Sequence, residues 1–259
     1  MNDKDLEWEE ISVEHIIQDE WIDFRRSTYR YPDGSVFSPY YSYSRRDFTI
    51  IVASDEEGNY LCVRQFRQGI KQVTTEFPAG GIERYDGKEY GEHRNVEDVV
   101  DSTKESLWQN DKMSRNAEDV LDTAKGSLKQ NDKMSKNAED VLDTAKGSLK
   151  QNVEMSRNAE DALDAAKREL REETGYVSND WTHLITIPSN PTISDNYAYV
   201  FMAENCRKAG DQHLDETEYL NVEKYMPEQI EELIHTGKFQ QPDHVMGWLL
   251  AKEIKKTKK

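Results

Sequence analysis

At 259 residues with 36% hydrophobic content, the chain can bury one good core, and its length is compatible with one domain or two. Its 51 acidic and 34 basic residues give a formal charge of -17, which repels a polyanion unless the basic side chains cluster, so nucleic acid is not an expected partner. No apolar run approaches the roughly 20 residues that cross a bilayer, and the N-terminal MNDKDLEWEE is acidic where a signal peptide is basic and then apolar; no membrane partner and a cytoplasmic location are expected.

Near the N-terminus, Trp8, Trp21, Phe24 and Tyr29 are packing aromatics, or include one ring that stacks on a base. Residues 47–53 (DFTIIVA) and 60–66 (YLCVRQF) are β-branched and aromatic runs separated by the turn-rich DEEGN, which predicts a hairpin. Cys62 and Cys206 have no metal-type spacing and read as buried, reduced thiols. From Asn95 the character changes. Proline disappears and a 21-residue unit repeats, with copies starting at Asn95, Asn116, Asn137 and Asn158. Small and apolar residues such as Ala117, Leu121, Ala124 and Leu128 fall four and three apart, a heptad seam of coiled-coil type. Asn131 and Ser135, then Asn152 and Ser156, interrupt that seam and are candidate turns.

After Gly175 the pattern returns to strands, with THLITI and YAYVFMA flanking PSNPTISDN. Helical spacing follows in MPEQIEELIHTGKF and in DHVMGWLLAKEIKK, whose lysine-rich end reads as a solvated tail.

The chemistry lies in RELREETG. Glu169, Glu172 and Glu173 stand at i, i+3 and i+4, so a helix stacks their carboxylates on one face and turns Leu170 to the core. Anions in the last helical turn oppose the macrodipole by roughly 0.3–1 kcal/mol each, so local stability does not explain them. A hard divalent cation does; oxygen-only ligands suit magnesium, with manganese able to replace it. Arg168, four residues before Glu172, can hold that carboxylate. The bland alternative is a solvated acidic face. Against it stands the second repeat, where the positions of Arg168, Glu169, Glu172 and Glu173 are Gly126, Ser127, Gln130 and Asn131, while Ala124 and Leu128 keep the packing.

Gly80, Glu160 and RELREETGY (168–176) resemble the Nudix box, a glycine and a glutamate followed by REUxEExGU, with U aliphatic or bulky. From Glu160 onward the spacing fits, but 80 positions separate Gly80 from Glu160 where the family pattern allows a handful. VRQFRQG (63–69), EFPAGGIE (76–83), Pro191 and LDETEYLNV (214–222) resemble the ADP-ribose and nucleotide-sugar pyrophosphatase branch.

The resemblance implies an α+β fold, a Nudix-type α/β/α sandwich with a mixed sheet, built from 1–83 and 158–259. Residues 84–157 would be a helical insert, which chain reach folds into a hairpin or small bundle. It further implies a pyrophosphohydrolase acting on ADP-ribose or a related nucleotide sugar. The Ala79 carbonyl, Glu169 and Glu173 would ligate Mg2+ with Glu172 assisting, and Glu216 or Glu218 would orient or deprotonate water. Arg64 and Arg67 would grip phosphate, and Glu76 would bond the base or a ribose. A homodimer is expected, with the insert contacting its own copy or another protein. The competing reading is a binding module that senses a nucleotide sugar; the intact glutamates argue against it.

Overall fold

The computed structural model describes residues 3–83, 161–214 and 219–257. All of these except Asp161 belong to one compact unit that takes in Met1–Glu83 and Ala162–Lys259. The predicted insert 84–157, with its seam and turns, lies outside the described residues, as do Glu160, Glu216 and Glu218.

The N-terminal strands β1 (Glu9–Gln18), β2 (Asp23–Arg30) and β3 (Val36–Ser44) form an antiparallel sheet in that order. Trp8 packs edge-on against Tyr31, Tyr29 and Tyr40. β3 is tied to the 189–196 loop, because the Tyr40 hydroxyl donates to the Thr192 carbonyl and the Tyr43 amide to that of Ile193.

The second sheet has eight strands. The expected hairpin is present as β4 (Phe48–Asp55) and β5 (Tyr60–Arg67), turning at Gly58 with φ +84°. β4 is shared. Its first half pairs with β7 (Ala79–Gly81), its far end pairs with β5, and its other edge runs parallel to β10 (Tyr197–Lys208). β5 is flanked by β6 (Gln72–Glu76) and β11 (Leu220–Tyr225), while β10 carries β8 (Tyr176–Val177) and β9 (Asp180–Pro188). This mixed sheet is the one expected.

Both faces are covered, and the strands read accordingly as continuous apolar runs rather than alternating ones. Ile50, Val52, Cys62, Val200 and Met202 join a core completed by Trp248 and Ala251 of α3 (Pro242–Thr257) and Ile230 of α2 (Pro227–His235). Ile51, Ala53, Leu61 and Phe201, also buried, point to the other face, against which α1 (Ala162–Thr174) packs through Ala165, Ala166 and Leu170. α3 lies close on the sheet; a Cβ at Gly247 would meet Val200 at 2.9 Å and Val52 at 3.3 Å.

One expectation needs correcting. The lysine-rich end is not simply a solvated tail, because α3 continues through it and Lys255 reaches the Tyr60 hydroxyl at 3.0 Å and Glu204 at 3.3 Å. Lysine stems of this kind cover apolar surface while the ammonium keeps polar partners.

Candidate active site

α1 carries the glutamates. Leu170 is fully buried as expected, but Glu169 and Glu173 are buried too, and Glu172 is only half-buried. Gly175 ends the helix at φ +71°, its amide bonded to the Arg171 carbonyl at 2.8 Å, the left-handed cap that glycine adopts without cost.

The remaining terminal carbonyls of α1 are taken by one downstream segment. Lys208 Nζ donates to the Thr174 carbonyl at 3.0 Å, Gln212 Nε2 to that of Glu173 at 2.6 Å and the His213 amide to that of Glu172 at 2.9 Å. The chain leading to Glu216 and Glu218 is thus tied to the end of the glutamate helix, although those two residues lie outside the described part.

Although 81 residues lie between Gly80 and the start of α1, Gly80 lies against that helix. A Cβ placed on it would fall 1.9 Å from Cδ of Glu169. The Ala79 amide donates to Glu173 Oε2 at 2.9 Å. Arg168 does more than hold Glu172; its Nη1 lies 2.9 Å from both Glu169 Oε1 and Glu172 Oε2, and its Nη2 donates to the Gly81 carbonyl at 3.0 Å. Glycine loop and helix are therefore joined by two buried carboxylates and one guanidinium.

Among the described residues no three His, Cys, Asp or Glu side chains already converge as a metal cluster. A cation here would draw on Glu169, Glu173 and backbone carbonyl oxygen, an oxygen-only donor set that fits a hard divalent ion and leaves positions for water. A groove of about 580 Å³ flanks this helix, with Arg168, Glu172, Arg171, Trp181 and His213 among its walls.

The expected substrate residues are placed differently. Arg67 is spoken for. It forks onto Glu76, with Nε at 3.0 and 3.1 Å from the two oxygens, and Thr74 and Gln65 complete the shell of a carboxylate with no exposure. Burial alone would raise the Glu76 carboxyl, but the hydrogen bonds and charge of Arg67, with Thr74, hold it below its ordinary value. Glu76 is thus anchored inside by Arg67 and Thr74. Arg64 is more open and pairs with Glu223 at 3.2 Å. Pro191 is exposed in the turn after β9, which the Ser189 hydroxyl fixes to Asp243 at 3.1 Å.

Asp243 and His244 were not anticipated from sequence. His244 is buried, and its Nδ1 accepts from the Phe77 amide at 3.1 Å. Burial drops its pKa to about 4, so the ring is neutral near pH 7. The only signal was a histidine on the apolar stripe of a helix, and such residues are commonly core. Cys62 and Cys206 are buried free thiols, pushed up by burial, as expected. Among the described residues no helix is long and apolar enough to cross a membrane.

Comparison with known proteins agrees with this geometry. Solved structures match in 104 chains. One, described as the crystal structure of ADP compounds hydrolase, superposes with a TM-score of 0.62 at 15% identity, over 98% of this chain and 97% of that one, a likeness that carries the fold. No curated protein matches. Residues 145–246 match the NUDIX domain family, a span that includes α1 and its glutamates but not Gly80. With that match on α1 and its glutamates, and with the glycine loop closed onto them, the chain is similar to the Nudix domain family over 145–246.

Proposed function

We propose that the chain hydrolyses the pyrophosphate bond of ADP-ribose or a related nucleoside-diphosphate sugar, giving a nucleoside monophosphate and a sugar phosphate. The observation that carries this reading is the approach of Gly80 to Glu169, which joins loop and helix into one oxygen-rich site. The description of the similar structure as an ADP compounds hydrolase supports the substrate class.

In this reading Glu169, Glu173 and the Ala79 carbonyl hold Mg2+, or Mn2+ in its place, with Glu172 assisting. Such ions neutralise pyrophosphate charge and sharpen the attacking water. Arg168 orients Glu169 and Glu172 by charge-assisted hydrogen bonds. Arg64, partly exposed, is the better placed arginine for phosphate, since Arg67 would first have to share its bonds to Glu76. Glu216 or Glu218 receives the water's proton, or aligns that water, from the loop that Gln212 and His213 fasten to α1.

The proposal includes a cytoplasmic homodimer, a Nudix domain of 1–83 and 158–259, and an insert of 84–157 that meets a second copy or another protein. Ile11, Val13 and Ile17, exposed on the edge strand β1, support self-association. The test is a panel of nucleotide sugars incubated with magnesium, with release of nucleoside monophosphate measured. ADP-ribose or a close analogue is expected to be cleaved; no release from any member would overturn the reading.

A further inference from the structure

We propose that His244 is a positioning residue for the loop bearing Ala79 and Gly80, setting the metal-binding geometry through the Phe77 backbone. The proposal rests on the reading of Glu169 and Glu173 as metal ligands.

The four residues from Glu76 to Ala79 cross the molecule between α3 and α1, and each is pinned by a different element. Glu76 is held by Arg67 of β5, and the Phe77 amide by His244 of α3. The Pro78 carbonyl accepts from the Ile51 amide of β4 at 2.9 Å, and the Ala79 amide donates to Glu173 of α1.

Phe77 falls in the gap between strands, since β6 ends at Glu76 and β7 begins at Ala79. Its side chain is fully buried. A buried amide outside a ladder needs another acceptor, or it costs about 1–3 kcal/mol. The neutral His244 ring supplies that acceptor at 3.1 Å, from a side chain fixed in the first turn of α3. Asp243, its neighbour, accepts from Ser189 at the base of the Pro191 turn. One helical turn therefore ties down both the glycine loop and the turn after β9. Without His244 the loop keeps its strand pairing to β4 but loses the bond two residues before Ala79 that fixes where it enters the site.

The test uses the full chain with His244→Asn and His244→Leu. Asn can place Oδ1 where the imidazole places Nδ1, whereas Leu fills space and accepts nothing. Binding of Mn2+ alone is measured by titration calorimetry, with thermal unfolding in metal-free buffer alongside. His244→Leu is expected to weaken Mn2+ about tenfold, the usual range for a group that orients metal ligands from behind, while His244→Asn stays close to the wild type. A folded His244→Leu chain with unchanged Mn2+ affinity would overturn the proposal. If that variant does not fold, hydrogen exchange of the wild-type Phe77 amide decides. Added Mg2+ should slow that exchange, and an unchanged rate would overturn the coupling. A wild type that binds no Mn2+ would overturn the metal site itself and this proposal with it.

Discussion

Gly80 lies so close to the carboxylate of Glu169 that a Cβ on the glycine would sit 2.0 Å from Oε1 as well as 1.9 Å from Cδ. No side chain fits there, so Gly80→Ala must push Glu169 aside or lift the loop from α1. A displacement near 1 Å in a catalytic site costs on the order of a hundredfold in rate, and turnover should fall by at least about that much. Gly69→Ala is the control. Nothing lies within 4 Å of its added Cβ, so turnover should stay within about twofold, as for an ordinary surface change. Steady-state kinetics of both variants check the pair.

Acid should destabilise the fold in two successive windows. The unfolded chain takes up a proton on His244 near its ordinary 6.5, the folded chain only at about 4. Stability is therefore lost as pH falls from 6.5 towards 4, by no more than about 3 kcal/mol. Glu76 is held below its ordinary 4.5 in the fold, so its contribution is present above 4.5 and is lost as pH falls further. Urea unfolding between pH 7 and pH 4 should lose much of its slope with pH in His244→Asn. A variant whose stability falls as steeply as the wild type would contradict the assignment.

The helix bearing the glutamates, the hairpin β4–β5 and the paired β9–β10 were legible because each writes its period locally. RELREETG shows its acidic face and its buried Leu170 within eight residues. The Gly80–Glu169 approach was not legible, since the repeats separate the two and only the tertiary fold closes the distance. The same holds for the parallel pairing of β4 with β10, which no local pattern announces. The anchoring of Glu76 was hidden for another reason. An acid beside a glycine loop looks like a ligand contact, yet Arg67 lies across the β5–β6 pair and draws it inside. His244 was overlooked because an apolar stripe hides what its one polar member bonds.

The acidic loop should divide its labour unequally. Gln212 and His213 tie the segment leading into it to the glutamate helix, and the proposed reaction needs one general base from the Glu216 and Glu218 pair. One of Glu216→Gln and Glu218→Gln should therefore lower kcat by about a hundredfold or more, within the range for a general base. The other should change it only a few-fold. If both are harmless, the base lies elsewhere.

Deleting 95–157, so that Arg94 joins Asn158, should leave a folded and active hydrolase. The cut removes three whole 21-residue periods and keeps the register of the repeat into α1. Gly80, Arg168, Glu169 and Glu173 all belong to the compact unit outside it. Shortening a long connection costs little, because closure entropy changes slowly with length. Turnover within about threefold of the full chain is expected; a well-folded deletion without activity would place part of the site in the repeats.

The most direct test compares Glu169→Gln and Glu173→Gln with the wild type for Mg2+-dependent release of nucleoside monophosphate from ADP-ribose, alongside thermal unfolding of the metal-free proteins. In Glu173→Gln the new side-chain carbonyl can still accept from the Ala79 amide, so stability should be nearly unchanged. Glu169→Gln gives up the ion pair to Arg168 and should cost about 1 kcal/mol. Both should lose catalysis by orders of magnitude, since each removes a metal-binding charge. Wild-type turnover retained in either folded variant would contradict the account.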